Sequence, residues 1–470
     1  MGIVRKMALA EKELIYGNMS EFPFQLSITC EHPEKRTELI ECTALLRHVP
    51  GRRKVFDALW NERNIIVKVF THKLRARRHL KREWRGLTTL SKSKINTPEP
   101  LFFGQTEKGY WAVAVEKISD SSTALEIFNN FDESQKKIEL LIMICRELAR
   151  QHRAGILQKD FHLENFIIAN GRIYTLDPGQ MQFYKPQVPR RKSISNLALL
   201  LLCLNHEDSK SQKMLCREYF QARDLRLLPS DEKLIQKEIE LQRKRGIKHG
   251  LKKSLRTSKR FLRIETSRFS GVFSKAFCTK SEALDFISTI DDLMAKGRIL
   301  KNGNTCFVSR LTWNKKDIVI KRYNHKSFTH SFQHTIIKSR ARRNWIYAQR
   351  LTMLHIPTPK PLAFIERRKG FLVWNSYYVT EYVEGKSLHN ILSDPDIPVN
   401  QRNTTKTQVE ILLDRIGKFH ITHGDLKHTN ILITENGPVL TDLDAMKAHK
   451  SKLLYKRRRA KDIERFHRLD

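Results

Sequence analysis

The stretch GDLKHTNILITENGPVLTDLDAM (residues 424–446) decides the fold. Asp425 is followed five positions later by Asn430, and then by an apolar triplet, an Asn-Gly turn and a short run of β-forming residues that ends at Asp442. The pattern predicts an Asp-containing loop, a turn and a short strand that leads to the second Asp.

A second stretch, KDFHLENFIIANGRIYTLDPGQM (residues 159–181), has the same order of features. Its Asp160, Asn165 and Asp177 each precede their counterparts by 265 positions. Chance easily supplies one D-x-x-x-x-N pattern, but not a series of matches in one order. We therefore predict that one unit is duplicated.

Further matches extend upstream in both copies. The segment EWRGLTTLSKSKINTPEP resembles NWIYAQRLTMLHIPTPKP, and IIVKVF resembles IVIKRYN. The paired residues are Lys68 and Lys321, 253 positions apart; Trp84 and Trp345, and Pro100 and Pro361, 261 apart; and Glu116 and Glu381, 265 apart. Small shifts in offset with a constant order are typical of a duplication.

The hydrophobic pattern predicts strands before helices in each copy. Ile65–Phe70 and Asp317–Tyr323 have strand composition, as do the shorter runs 173–176 and 439–441 after glycine turns. Apolar residues recur at helical spacing over 138–152 and 409–416. The fold class is therefore α+β, with two lobes in each copy, a small β-rich one followed by a helical one.

These residues match what phosphoryl transfer requires, namely a held nucleotide, a bridging metal and a carboxylate that orients the attacking hydroxyl. The cofactors predicted are ATP and Mg²⁺. The roles are as follows: Lys68 and Lys321 on the phosphates, Glu83 as the partner of Lys68, Asp160 and Asp425 as catalytic bases, and Asn165, Asp177, Asn430 and Asp442 as metal ligands.

Some assignments stay open at this point. Asp444 competes with Asp442 as the metal ligand in TDLD. Glu116 and Glu381 stand where backbone groups usually hold adenine, and their side chains could be structural. Gly51 and Gly303 fit either a turn that covers phosphates or an ordinary hairpin turn.

The arrangement of Lys, Asp, Asn and Asp resembles the protein kinase-like superfamily, and the details resemble the lipopolysaccharide kinase (Kdo/WaaP) family. The resemblance rests on VPGRRKVFDALWNERNIIVKVF, HRAGILQKDFHLENFII and GRIYTLD in the first copy, and on IVIKRYN, SRARRNWIYAQRLTMLHIPTPKPLAFIE and HGDLKHTNILI in the second. It implies two tandem kinase-like folds and an ATP- and Mg²⁺-dependent kinase. The implied substrate is a heptose or Kdo sugar of the lipopolysaccharide inner core or of a lipid A precursor.

The two copies depart from the family pattern in different ways. Gln158 stands where the second copy has His423, which predicts weaker support of the first catalytic loop. Asn344 stands opposite Glu83, so Lys321 lacks the expected carboxylate. Either another acid serves in the second copy, or that copy is slow or silent.

Charge and spacing bear on the substrate. The chain of 470 residues has 87 Lys and Arg against 50 Asp and Glu, a net charge of +37, which indicates an anionic partner such as phosphorylated glycolipid or an anionic membrane. The chain runs only 19 positions from Asp177 to Asn196, and 20 from Asp442 to Asp462. So short a segment favours a small hydroxyl substrate over a peptide. The alternatives are a compact RIO-like protein kinase and a pseudokinase scaffold that binds anionic partners; no specific nucleic acid is expected.

We expect kinase-like domains at residues 25–235 and 271–470, the second with a short helical lobe, and a basic helical linker at 236–270. The seven cysteines show no C-x-x-C pair, which predicts no disulfide or zinc site. Residues 1–14 lack the apolar core of a signal peptide, and the apolar run Leu197–Leu204 is too short to span a bilayer. We therefore predict a cytoplasmic protein, peripheral at the inner membrane.

Overall fold

A computed structural model describes residues 22–72, 74–204, 208–324, 338–370 and 372–467 of the chain. The amino-terminal residues 1–14 lie outside that part. The chain divides into two compact units, Met1–Arg243 and Lys244–Asp470. Each unit is a mixture of helices and strands.

The first unit begins with a closed six-stranded barrel in the order β1-β2-β3-β4-β6-β5. Its strands are β1 Phe24–His32, β2 Thr37–Val49, β3 Arg53–Trp60, β4 Arg63–Phe70, β5 Pro100–Thr106 and β6 Trp111–Glu116. Strand β4 alternates between two faces, so that Ile65, Val67 and Val69 are buried in the barrel core while Lys68 points to the other face. Helix α1 (Ala76–Lys92) packs on that second face.

Helices and short hairpins complete the first unit. The helices are α2 Ala124–Asn130, α3 Ser134–Arg153, α4 Arg190–Leu201, α5 Ser209–Ala222 and α6 Pro229–Lys253. The short strands are β7 Ser122–Thr123, β8 Ile156–Gln158, β9 Phe166–Ala169, β10 Arg172–Thr175 and β11 Met181–Phe183. Apolar side chains from α3, α4, α5 and α6 form one core that includes Leu148, Leu197 and Tyr219.

The second unit begins with a seven-stranded sheet in the order β12-β13-β17-β18-β16-β15-β14. Its strands are β12 Phe261–Glu265, β13 Phe269–Ser274, β14 Arg298–Gly303, β15 Cys306–Trp313, β16 Lys316–Tyr323, β17 Pro361–Lys369 and β18 Leu372–Glu381. Helix α7 (Lys280–Lys296) packs with Ile318 and Ile320 on one face, and α8 (Arg340–Met353) packs with Tyr323 on the other.

The helical part of the second unit is shorter. It consists of α9 Leu388–Ser393, α10 Val399–Lys418 and α11 Lys452–His467, with short strands β19 Lys386–Ser387, β20 Ile421–Thr422, β21 Ile431–Thr434, β22 Gly437–Leu440 and β23 Lys447–Ala448. Hairpins β9–β10 and β21–β22 occupy the same place in the two units, each after an Asp-containing loop.

Most local predictions match the observed elements. The predicted strands are β4, β16, β10 and β22, and the predicted helices lie within α3 and α10. The segment 236–270, expected as a linker, consists of the last part of α6, a turn and strand β12, so part of it pairs into the second sheet. Gly51 and Gly303 both lie at hairpin ends, between β2 and β3 and between β14 and β15.

All seven cysteines lie in the described part of the chain and are free thiols. None of the helices in the described part of the chain combines the length and apolar character needed to cross a membrane.

Candidate functional site

The two predicted catalytic loops fold alike. In the first unit, a 3-10 turn at Leu163–Asn165 brings the Asn165 amide back to donate to the Asp160 carbonyl oxygen at 2.7 Å. In the second unit, a turn at His428–Asn430 lets Asn430 donate to the Asp425 carbonyl oxygen at 2.9 Å. A five-residue spacing therefore closes each loop, with its aspartate side chain at least partly accessible.

Cations surround the second loop more fully. The Asp425 carboxylate accepts from Lys427 at 3.1 Å and from Arg465 at 3.3 Å. Asp160 of the first unit instead contacts the His162 ring at 2.8 Å.

The aspartates that follow the hairpins adopt an unusual backbone conformation. Asp177 has φ 50° and Asp442 has φ 54°, both in the left-handed region, and each begins a short 3-10 turn. Non-glycine residues in this region cluster at functional sites because the strain must be held by the surrounding structure. The same backbone conformation at equivalent positions is a second indication that the two segments have the same local structure.

In the first unit, Lys68 lies between two carboxylates. Its ammonium is 2.6 Å from Glu83 on α1 and 3.0 Å from Asp177. Arg53 on β3 adds a second cation, 3.2 Å from Asp177. Gly179 permits this geometry, because a Cβ there would lie 2.6 Å from a Glu83 carboxylate oxygen.

Burial and charge oppose each other in this cluster. Burial alone would lower the pKa of Lys68, but Glu83 and Asp177 raise it above its ordinary value. Burial alone would raise the pKa of Asp177, but Lys68 and Arg53 hold it well below its usual range. Lys68 and Asp177 are therefore both charged at neutral pH.

Asp160, Asn165 and Asp177 line one small pocket in the first unit, together with Gln158 and Lys159. Oxygen donors of this kind suit Mg²⁺, which usually binds one or two protein groups and completes its shell with phosphate oxygens and water. Within the described residues, no group of three or more His, Cys, Asp or Glu side chains is placed to hold a metal ion. The two carboxylates and the amide of this pocket fit a metal whose remaining ligands are phosphate oxygens and water.

In the second unit, Lys321 meets one carboxylate, Asp442, at 2.7 Å. Asn344 does not contact this lysine; its amide donates to the Tyr323 hydroxyl at 2.7 Å, and its oxygen accepts from the Leu443 N–H at 2.9 Å. Asn344 thus ties helix α8 to strand β16 and to the turn after Asp442. The pKa of Asp442 is lowered, since the charges of Lys321 and Arg340 outweigh burial.

Arg340 is a site residue that the sequence interpretation missed. Its guanidinium pairs with the buried Asp444 and lies 4.5 Å over the Tyr323 ring. Burial would lower the pKa of Arg340, but Asp444 raises it. Because Asp444 is engaged by Arg340, the geometry favours Asp442 as the carboxylate that faces Lys321.

The groups that support the two predicted catalytic loops differ in chemistry. In the second unit, Asp462 accepts from the His423 and Gly424 N–H groups at 2.7 and 3.0 Å, and the buried His423 ring contacts the Thr441 carbonyl oxygen. In the first unit, Asn196 donates to the Gln158 carbonyl oxygen at 2.9 Å, and Gln158 donates to Gln151.

The two glutamates near the expected adenine position do not join these clusters. Glu116 is exposed at the end of β6, where its N–H donates to the Glu99 carbonyl oxygen. Glu381 ends β18, and its carboxylate pairs with Lys360 at 2.8 Å. Each marks the strand end that precedes a helix, and the structure places no predicted site residue against either side chain.

Comparison with known proteins bears on the second unit. The model of the lipopolysaccharide kinase (Kdo/WaaP) family matches residues 295–470, which include Lys321, Asp425, Asn430 and Asp442. A solved structure described as WaaP in complex with acyl carrier protein is 18% identical, covering 42% of this chain and 86% of that chain with a TM-score of 0.34. No curated protein shows significant similarity to the chain. The second unit is therefore similar to lipopolysaccharide kinases.

Proposed function

We propose that the chain is an ATP-dependent kinase built from two kinase-like units in tandem, and that it phosphorylates a heptose or Kdo hydroxyl of the lipopolysaccharide inner core. The observation that carries the proposal is the shared geometry of a strand lysine, a left-handed aspartate and an Asp/Asn loop in both units. The family match over the second unit supports the proposed substrate class.

Each residue has a role that its position supports. Lys68 and Lys321 hold the α- and β-phosphates, and Glu83 fixes Lys68 in place. Asp160 and Asp425 accept the hydrogen bond of the substrate hydroxyl and remove its proton as phosphate is transferred.

Asn165 with Asp177, and Asn430 with Asp442, would hold Mg²⁺ in the two units. The ion would supply charge neutralisation between the β- and γ-phosphate oxygens. Arg53 is placed to balance the charge of Asp177 before nucleotide arrives, since it contacts that carboxylate directly.

Basic surfaces support action next to an anionic membrane at the cytoplasmic face of the inner membrane. Helix α1 exposes Arg77, Arg78, Lys81, Arg82 and Arg85 around a shallow depression that also includes the exposed Leu74. Each Lys or Arg near an anionic membrane surface contributes about 1 kcal/mol to the free energy of membrane binding. Such a face suits a substrate embedded in lipid.

The test is ATP turnover with purified core lipopolysaccharide that lacks phosphate. Wild type is compared with Asp160→Ala and Asp425→Ala. Where the aspartate is a working base, its replacement should lower the rate of phosphate transfer by about 10²- to 10⁴-fold. Loss in one variant identifies the working unit, and loss in both means that both units turn over.

Two surface variants serve as controls for the same substitution. Asp224→Ala and Asp414→Ala each remove an exposed carboxylate that pairs with an arginine outside the site. If neither Asp160→Ala nor Asp425→Ala differs from these controls, the assigned bases are wrong. Transfer to protein rather than to sugar would reject the proposed substrate.

A further inference from the structure

The hairpin between β2 and β3 places two arginines beside the site of the first unit. Arg47 on β2 pairs with Val55 on β3, and Val55 pairs with Lys68 on β4. Paired residues in a sheet direct their side chains to the same face, as do residues two apart in one strand. Arg47, Arg53 and Lys68 therefore lie on one face, opposite the barrel core.

All three cations meet the same carboxylate. One oxygen of Asp177 lies 3.0 Å from the Lys68 ammonium. Its other oxygen lies 3.2 Å from the Arg53 guanidinium and 3.9 Å from the Arg47 guanidinium. Asp177 also lines the pocket of the predicted catalytic loop. One carboxylate thus has three cations around it, and one of these cations is the lysine that we assign to the nucleotide phosphates.

The turn of this hairpin offers few backbone donors for a phosphate. Backbone N–H groups of glycine-rich turns commonly bind phosphate, but this chain contains no G-x-G sequence. Among the turn residues 50–52, Pro50 has no N–H, and the Arg52 N–H donates to the Val49 carbonyl oxygen at 3.0 Å. Gly51 thus belongs to an ordinary hairpin turn, and phosphate contacts from this hairpin fall to its side chains.

The second unit differs at these positions. Cys306 corresponds to Arg53 by the offset of 253 positions that also relates the two strand lysines. Lys301, which pairs with Val308 on β15, takes the place of Arg47 and is exposed. The Cys306 side chain is buried. The second unit therefore lacks the guanidinium that in the first unit lies closest to the aspartate.

We propose that Arg47 and Arg53 turn from Asp177 to the phosphates of the nucleotide when it binds, and that the first unit therefore holds ATP without Mg²⁺. Guanidinium groups bind phosphate through paired N–H donors and stay protonated in proteins. Together with Lys68 they supply three positive charges, which offset much of the charge of a triphosphate. In the structure, the Asp177 carboxylate is the anion that these cations surround. The inference rests on the proposed function in one respect, namely that the first unit binds a nucleotide.

The test is isothermal titration of the full chain with ATP, in EDTA and without a sugar acceptor. We expect wild type to bind, and Arg53→Gln to bind about tenfold more weakly or worse, because a charged hydrogen bond to phosphate is lost. Arg47→Gln should weaken binding by a smaller factor, since Arg47 lies farther from Asp177. Arg53→Lys restores the charge and should bind more tightly than Arg53→Gln.

Two further variants define the site. Arg52→Gln makes the same substitution at an exposed position of the same hairpin and should bind like wild type. Lys68→Met should lose the binding seen in EDTA, which assigns that binding to the first unit. If Arg53→Gln does not fold, Arg47→Gln decides the question, because the Arg47 side chain is 59% exposed.

The outcomes separate this inference from the kinase proposal. No binding by wild type in EDTA, unchanged binding in both Arg47→Gln and Arg53→Gln, or unchanged binding in Lys68→Met overturns the inference. So does an equal loss in Arg52→Gln, which would show an effect of net charge alone. Binding in EDTA that depends on Arg53, without phosphate transfer to sugar when Mg²⁺ is added, supports the inference and rejects the kinase proposal.

Discussion

The two units place their charges differently around the strand lysine. In the first unit, Lys68 lies between Glu83 and Asp177, whereas in the second unit Lys321 contacts Asp442. The second carboxylate of that unit, Asp444, pairs with Arg340 instead. A carboxylate on the helix has thus been exchanged for one on the turn.

Three positions account for this exchange. Glu83, Gly179 and His79 of the first unit correspond by offset to Asn344, Asp444 and Arg340 of the second. Glu83 needs the space that Gly179 leaves, and Asp444 needs the cation that Arg340 brings. In the first unit, Lys68 links Glu83 on helix α1 to Asp177 at the start of the turn. In the second unit, Arg340 on helix α8 pairs directly with Asp444 on the turn.

The largest effect should come from breaking these ties. Glu83→Gln removes one partner of the buried Lys68, and Arg340→Met leaves Asp444 buried without its cation. Removing one partner of a buried pair typically costs about 3–5 kcal/mol of folding stability. In Glu83→Gln the cost is smaller, because Asp177 still pairs with Lys68. We therefore expect a loss of about 2–4 kcal/mol in each case, measured by thermal unfolding.

Glu381→Gln is the matched control for Glu83→Gln. It removes a glutamate from a pair with Lys360 in which both side chains are more than one-third exposed. Such pairs contribute about 0–1 kcal/mol. If Glu83→Gln lowers the unfolding temperature no more than this control does, the Lys68 cluster does not stabilise the first unit.

A smaller effect should appear on acidification. The ring of His152 is buried between the Tyr219 hydroxyl at 2.7 Å and the Asn196 side-chain oxygen at 3.0 Å, and burial lowers its pKa to about 3. The unfolded chain therefore binds a proton below about pH 6.5 that the folded chain does not. From pH 7 to pH 5, this should cost about 2 kcal/mol of stability.

Histidine variants test whether the acid sensitivity arises in one unit or in both. Position 417, which corresponds to His152, is a glycine, but the second unit has the buried His423, whose pKa burial also lowers. His152→Gln and His423→Gln should each reduce the difference in unfolding temperature between pH 7 and pH 5. His249→Gln, at an exposed position of α6, should leave it unchanged. An unchanged difference in His152→Gln would show that this ring does not cause the acid sensitivity.

The smallest effect concerns the helix caps. Thr123 and Glu126 form a reciprocal capping box at α2, whereas Ser387 accepts one hydrogen bond, from the Asn390 N–H, at α9. Thr123→Ala should therefore cost about 1 kcal/mol, and Ser387→Ala somewhat less. Differential scanning calorimetry can measure both. Thr407→Ala, on the exposed surface of α10, is the control, and an equal loss there would remove any role for the caps.

The sequence predicts the repeated motifs and their local structure well, because offsets and apolar periodicity are local signals. It identifies Lys68, Glu83 and Asp177, which the structure brings together. It does not predict barrel closure, which depends on pairing between β1 and β5, more than 60 residues apart in the chain.

Arg340 also escaped prediction. Arg340 precedes Asn344 by one helical turn. A comparison of Glu83 with Asn344 alone therefore does not reveal it.

The left-handed aspartates have a consequence for laboratory evolution. A non-glycine residue at φ 50° or 54° costs about 1–3 kcal/mol, which glycine would relieve at Asp177 or Asp442. The same change would remove the carboxylate that faces the strand lysine. Because losing that partner also costs stability, glycine at either position relieves the backbone and removes the ion pair at the same time. Any effort to stabilise this chain by laboratory evolution should therefore keep both aspartates and select for turnover as well as for heat resistance.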